Sequence, residues 1–319
     1  MTSYVLRRLA QAIPVLLLSS LGVFLLLHLV PGDPAIILAG PDATPEVIDA
    51  VRADMGLNQP LPVQYAVWLG HAIHGDLGRS FTSKQPVTDL IAQRLPATAE
   101  LALAGILLAL LVSVPSGILA ALHQRRLVDW LISSLSAFAI AIPNFWFGIL
   151  AILLFALVLG WLPPGGYADV IRDPGAGLKF LALPAVTLAL NQAAVTSRFV
   201  KASMLDVLYE DYVRTARAKG LRERVLIRRH ALRNALVPLA TVLGVEFGRL
   251  LGGAVIVESV FAWPGMGRLI VQAIANRDYT VVQGALLLLV CTFILVNLLT
   301  DVAYGVLDPR IRFASRPGQ

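Results

Sequence analysis

The sequence predicts an all-α polytopic membrane protein with six transmembrane helices. Three observations predict it. Of 319 residues, 57% are hydrophobic and only 14% charged, where soluble domains carry about 45–50% and 25%. Mean hydropathy is +0.75, and several runs approach or exceed the roughly 20 apolar residues that cross a hydrocarbon core of about 30 Å. Lys and Arg gather in alternate segments between those runs, 17 in one set against 8 in the other.

The first run, 9–30, follows Arg7 and Arg8. It is too long for the apolar core of a cleaved signal, and "HLVPGDPA" offers no small-residue cleavage site, so it reads as a retained signal anchor. The segment 31–98 is long for a loop and is expected to form a small outer cap with helices of its own. Thr44 and Pro45 open one of these and Gly56 closes it; Pro62 and Gly75 repeat the grammar. The run 99–121 is an unambiguous span, whereas 131–159 contains Pro143 and is expected to tilt or kink. Trp130 and Trp161 bracket that third span as interfacial anchors would. The fourth run, 180–199, is diluted by Asn191, Gln192 and Thr196, which suits a cavity better than lipid. The runs 235–257 and 283–306 complete the set. With the N-terminus inside, the 17 basic residues fall on the inner segments, so both termini are expected in the cytoplasm of a cell-membrane protein.

Composition also excludes. A net charge of +6 suggests nucleic acid only if a soluble fold presents a basic face, and here the basic residues sit between apolar runs. The single cysteine, Cys291, rules out a disulfide framework. A P-loop needs the Gly-Lys pair of GxxxxGK[ST], but the four lysines follow Ser83, Leu178, Val200 and Ala218, so this chain cannot use ATP that way. No paired carboxylates or catalytic triad pattern supports an enzyme.

The loop 200–234 stands out. Its stretch 210–234 holds eight basic residues against three acidic ones. Leu205, Leu208, Tyr212 and Ala216 recur at helical spacing, with Asp206 placed to cap the start and Gly220 to end the helix in a left-handed residue. A second helical segment is expected from about 222 to 234. Such a helix, break and helix could lie on anionic lipid or enter a groove on a cytoplasmic partner, and periodicity does not choose.

Other candidates are weaker. His71, His74 and Asp76 form a tempting cluster, but two histidines three apart without further ligands do not make a metal site. Glu246 and Arg249 share a helix face in the fifth span, either as a neutralising pair or as a polar patch lining the path of a zwitterionic substrate. Asn144 and Asn191 are further cavity candidates; Glu258 is expected to cap or pair locally. Pro264, Gly265 and Gly267 mark a turn before a short amphipathic helix, where Trp263 is a candidate interfacial anchor.

Taken together, "HLVPGDPA", "MGLNQPLPVQY", "HGDLGRSF", "RLPATAELA", "ASMLDVLYEDYVRTARAKGL", "RHALRNALVP", "VESVFAWPGMGRLIVQAI", "NRDYTVVQG" and "DVAYGVLDPRIR" resemble, in order and almost end to end, the permeases of binding-protein-dependent ABC importers in their peptide/nickel/glutathione branch. The resemblance implies a single type I ABC importer permease domain over 1–319, with cytoplasmic coupling helices and translocation of di- or oligopeptides, and it places the short helix after Pro264 near an external gate as the alternative to anchoring by Trp263. It implies that Tyr212, Arg214, Thr215, Ala216, Arg217 and Gly220 couple the chain to an ATPase. The general Glu-Ala-Ala signature reads Arg214-Thr215-Ala216 here, and the following proline, Pro238, lies farther off, so arguments built on that glutamate do not transfer. The implied partners are a homologous second permease, two ATPase subunits that hold ATP and Mg, an extracytoplasmic binding protein and the bilayer, with no cofactor on this chain. Nickel chelates or glutathione are alternative cargoes of the same machine; a passive channel or receptor is the rival class.

Overall fold

The computed structural model describes residues 2–29, 33–40 and 42–307, and the end of the last sequence motif lies outside them. In chain order the helices are α1 (Thr2–Leu29), α2 (Pro34–Ala39), α3 (Pro45–Asp54), α4 (Leu61–Ile73), α5 (Val87–Leu122), α6 (Leu127–Ala141) and α7 (Asn144–Ala151). A π-helical turn, Ile152–Val158, continues α7. There follow α8 (Pro174–Leu208), α9 (Asp211–Ala218), α10 (Glu223–Val225), a second π-helical turn (Leu226–Ala231), α11 (Leu232–Ala235), α12 (Val237–Val260), α13 (Met266–Ala275) and α14 (Tyr279–Leu307). Among the described residues no strand forms, as expected where backbone groups must be satisfied within lipid.

The six expected spans overlap α1, α5, α6–α7, α8, α12 and α14. Among the described residues, α5, α8 and the first 22 residues of α14 are long and apolar enough to cross a bilayer, and α6 with α7 makes a fourth if counted as one broken span. That break is far sharper than the expected tilt: the two pieces meet at 99°. Pro143 causes it. Proline has no N–H to continue the ladder and pushes its predecessor out of the α region, and Ile142 is extended at φ −81°, ψ 125°.

Two compact units divide the chain: residues 97–264 with short terminal pieces, and residues 6–96 with 265–294. In the first, α8 packs against α6, α7 and α12. Its core gathers Leu101, Leu181, Leu188, Leu250, Val257, Phe261 and Trp263. Trp263 is fully buried, donates from Nε1 to the Ala97 carbonyl at 2.8 Å, and meets Tyr167 edge-on at 4.8 Å. The anchoring role expected of Trp263 is thereby overturned: its ring fills the interior and its polar atom is satisfied there. Trp130 and Trp161, by contrast, are exposed.

Four polar residues of α8 face protein. Thr187, Gln192, Thr196 and Ser197 are buried; the Thr187 hydroxyl donates to the Leu183 carbonyl at 2.7 Å, and Ser197 pairs with Ser116 at 2.8 Å. Gly117 allows that approach, since a Cβ there would stand 2.6 Å from the Ser197 carbonyl oxygen. Small residues at such crossings let membrane helices close on one another. Leu103, Leu107 and Leu111 of α5, one turn apart, stay exposed as a stripe suited to lipid. A second core around Ala121, Val200, Met204, Ala231 and Ala235 ties α8 to the helical segment 223–235.

In the second unit the cap helices form as expected, with Gly56 at φ +67° and Gly75 at φ +84° beyond α3 and α4. Thr44 occupies the N-cap position of α3 without a side-chain cap bond. Asp33 caps α2 by accepting from the Ala35 amide at 2.9 Å and pairs with Arg52 at 2.5 Å. The amphipathic helix after Pro264 is α13, whose Met266, Leu269, Ile270 and Ala273 are buried against Val87, Ile91 and Val281. Buried Asp278 fastens the loop before α5: it accepts from Ser80 Oγ at 2.5 Å and from the Phe81 and Thr82 amides at 3.2 Å.

Candidate functional site

The predicted loop begins later than expected. Helix α8 runs on to Leu208, so Asp206 lies inside it rather than at a cap, and the face through Leu205, Leu208, Tyr212 and Ala216 is cut at Tyr209–Glu210. A new helix then starts. Glu210 takes the extended N-cap conformation, and Asp211 in the first turn complements the positive end of the dipole.

Helix α9 has one buried residue, Val213, which is fully sequestered. Around it Tyr212, Arg214, Thr215 and Arg217 are exposed, and Ala216 is half-buried. Gly220 does what the sequence predicts. At φ +77° its N–H donates to the Arg217 carbonyl at 2.9 Å, and the Leu221 N–H reaches the Ala216 carbonyl at 3.2 Å. This paired closure is a Schellman motif, which needs a left-handed residue at that position. Across the turn, Arg217 donates to Glu223 at 2.7 Å and Asn234 to the Tyr212 hydroxyl at 2.8 Å. The result is a braced elbow: a short helix pinned by one apolar residue, presenting Arg214, Thr215 and Arg217 outward.

Val213, Glu223 and Asn234 were missed in the sequence as members of this elbow. The acidic pair Glu210-Asp211 was the available signal, since it marks a helix start and shifts the buried position to Val213.

The second group lies on α12. Arg249 donates to Glu246 at 2.9 Å, with the carboxylate side chain 7% exposed and the guanidinium side chain 69%. Gly253 continues the same face one turn on, and a Cβ there would stand 3.5 Å from Asn144 Nδ2 and from Leu188. Glu246, Arg249 and Asn144 are therefore gathered along one side of α12. Asn191, half-buried, donates from its amide to the Ile140 carbonyl at 3.4 Å, an acceptor at the end of α6 where the Pro143 break interrupts the ladder. Glu258 has a partner distant in sequence. It is fully buried and accepts from Thr98 at 2.7 Å.

A third polar cluster escaped the sequence reading. Asp129, buried at the start of α6, pairs with Lys201 of α8 and accepts from the Arg125 amide at 3.0 Å and Ser133 at 3.1 Å. Nothing in the spacing of Asp129 and Lys201 announces a contact.

His71 and His74 end α4, where His74 Nδ1 contacts the Gly70 carbonyl at 2.8 Å and Asp76 accepts from the Gly78 amide at 2.9 Å. Among the described residues no group of three or more potential metal-ligating side chains of His, Cys, Asp or Glu forms. Outside the spans, Arg52 holds the Asp33 carboxyl below the usual range by hydrogen bonding. Burial, with a hydrogen bond to Glu100, raises Tyr167 to about 12.

Residues 113–313 match the family model described as the inner membrane component of binding-protein-dependent transport systems, and residues 1–102 match that of its N-terminal region. A Brucella abortus protein named for a peptide transport system permease is 45% identical, covering 98% of this chain and 100% of that one. The glutathione transport system permease protein GsiC of Escherichia coli K12 is 44% identical over the same shares. Among solved structures, an inward-facing form of the MetNI methionine ABC transporter aligns with TM-score 0.58 at 18% identity, covering 69% of this chain and 96% of the other, which supports the fold. The chain belongs to the binding-protein-dependent transport system inner membrane component family, as an ABC importer permease of the peptide/glutathione type.

Proposed function

We propose that this chain is one of two membrane-spanning subunits of an importer for di- or oligopeptides, paired with a homologous permease. A binding protein outside the cell membrane delivers cargo, and two ATPase subunits holding ATP and Mg dock inside, where both termini lie. The observation that carries this reading is the elbow of α9: a helix whose one buried residue is Val213, closed by Gly220, with Tyr212, Arg214, Thr215 and Arg217 exposed. Such a body can enter a cleft on a partner and report its closure, because differential contact in two states is what shifts an equilibrium. Glu246, Arg249, Asn144 and Asn191 are assigned to the translocation path, Asn191 also holding the broken third span beside it. The chain itself holds no nucleotide.

The likeness to GsiC favours glutathione as the second reading of the cargo, and nickel chelates remain a third within the same branch. Two measurements test the proposal. A cysteine at Thr215 should crosslink to the ATPase subunit in a nucleotide-dependent manner; a chain that never recruits ATPases under stabilising conditions is a channel or receptor instead. Mass spectrometry of what the cognate binding protein carries when purified then identifies the cargo, and glutathione there replaces the peptide assignment.

A further inference from the structure

The second unit contains a cavity of about 500 Å³ that the transport reading does not use. Its size falls in the range of small-molecule sites, about 300–1,000 Å³. The wall is aromatic and aliphatic: Phe24, Trp68, Phe81 and Tyr279 line it together with Val67 and Leu77. Phe24 and Trp68 stand 6.1 Å apart, with Tyr65 packed against both, so this side of the wall is a braced aromatic cluster.

Besides Gln59, Gln64, His71, Thr280 and Gln283, two polar features of that wall bear on its ligand. Tyr279 is 8% exposed, and among the described residues its hydroxyl has no hydrogen-bond partner, although an unmade bond on a buried hydroxyl is costly. Asp54 and Asp76 line the cavity where it meets solvent, both exposed. Among the described lining residues there is no Lys or Arg. An anion would thus meet two carboxylates and, apart from the His71 imidazole, no basic group among the described lining residues.

We propose that this cavity is a binding site for a small amphipathic cation, a primary ammonium on an aromatic or branched aliphatic body. The body lies against Phe24, Trp68 and Phe81, where a cation near ring faces gains further attraction, and the ammonium lies toward Asp54 and Asp76. The site stands independently of whether the chain imports peptides.

The test uses the full chain in lipid nanodiscs and three probes of one shape: phenethylamine, phenethyl alcohol and phenylacetate, read by saturation-transfer NMR and calorimetry. Phenethylamine should bind in the millimolar range or tighter, with the alcohol weaker and the acid at least about tenfold weaker, a difference of about 1.4 kcal/mol. Val67→Trp, at an exposed position of the wall, should fill the space and abolish binding. Equal binding of amine and acid, or of amine and alcohol, overturns the proposal. So does undiminished binding by Val67→Trp, or no binding of phenethylamine at millimolar concentration.

Discussion

Replacing Gly220 separates what its backbone does from what its missing side chain does. A Cβ at this position meets nothing within 4 Å, so Gly220→Ala introduces no clash and costs only the left-handed conformation, about 1–2 kcal/mol. That loosens the elbow by roughly one order of magnitude in population, because about 1.4 kcal/mol is a factor of ten. Asn tolerates the left-handed region and should cost less. Proline is different in kind. Its φ is locked near about −65°, so +77° is out of reach, and the N–H that reaches the Arg217 carbonyl at 2.9 Å is lost. It also disfavours the helical setting of the preceding residue, and Lys219 sits at φ −78°, ψ 3°. The Schellman closure then cannot form. Reconstituted with its partner ATPases and binding protein in liposomes, the series should rank wild type, Asn, Ala, Pro in uptake, with Gly220→Pro inserted and hydrolysing ATP but not transporting. Normal uptake by Gly220→Pro, or equal losses for Ala and Pro, would refute the argument that the left-handed turn transmits motion.

Other outcomes follow from the same physics. Val213→Ala should loosen α9 by about 1–2 kcal/mol and speed amide exchange from 211 to 218 while leaving α8 protected. Arg249→Ala should lower thermal stability more than Glu246→Gln, and the double variant should recover part of the loss, because the first change strands a largely buried carboxylate. The Asp33 carboxyl, held low by Arg52, stays ionised in the folded cap to a lower pH than in the unfolded chain. Its stabilisation is therefore complete above about pH 4 and lost as pH falls through the depressed folded value, and Arg52→Met should flatten that dependence in limited proteolysis of the cap. Asp278→Ala should strand the Phe81 and Thr82 amides and destabilise the second unit by about 1–3 kcal/mol, read as a drop in thermal stability.

Much of the fold is visible in composition because lipid imposes a coarse rule on length and polarity. Apolar runs place α5 and α14, and the turn grammar of Thr44, Pro45 and Gly56 places α3, since these signals are local. Gly220 was legible for the same reason: only a left-handed residue ends a helix in that way. What the sequence concealed is long-range. Trp263 as a core residue, Glu258 against Thr98, Asp278 against Ser80 and Asp129 against Lys201 are pairs whose separation in the chain gives no periodic trace. The elbow's frame was misread by a few residues because α8 continues past the apolar run, its polar end held by contacts from Ala121, Ala231 and Ala235 rather than by intrinsic preference.

Helix α8 runs for 35 residues with Pro184 near its start, and only Tyr209 and Glu210 separate it from α9. A joint that short has almost no slack. A shove delivered to the elbow cannot be dissipated in a floppy tether, so it arrives at a shaft whose opposite stretch carries the Asn191 clasp on the kinked third span. Stretching the two-residue joint with inserted glycines would put backlash into the transmission even though every contact within either helix survived.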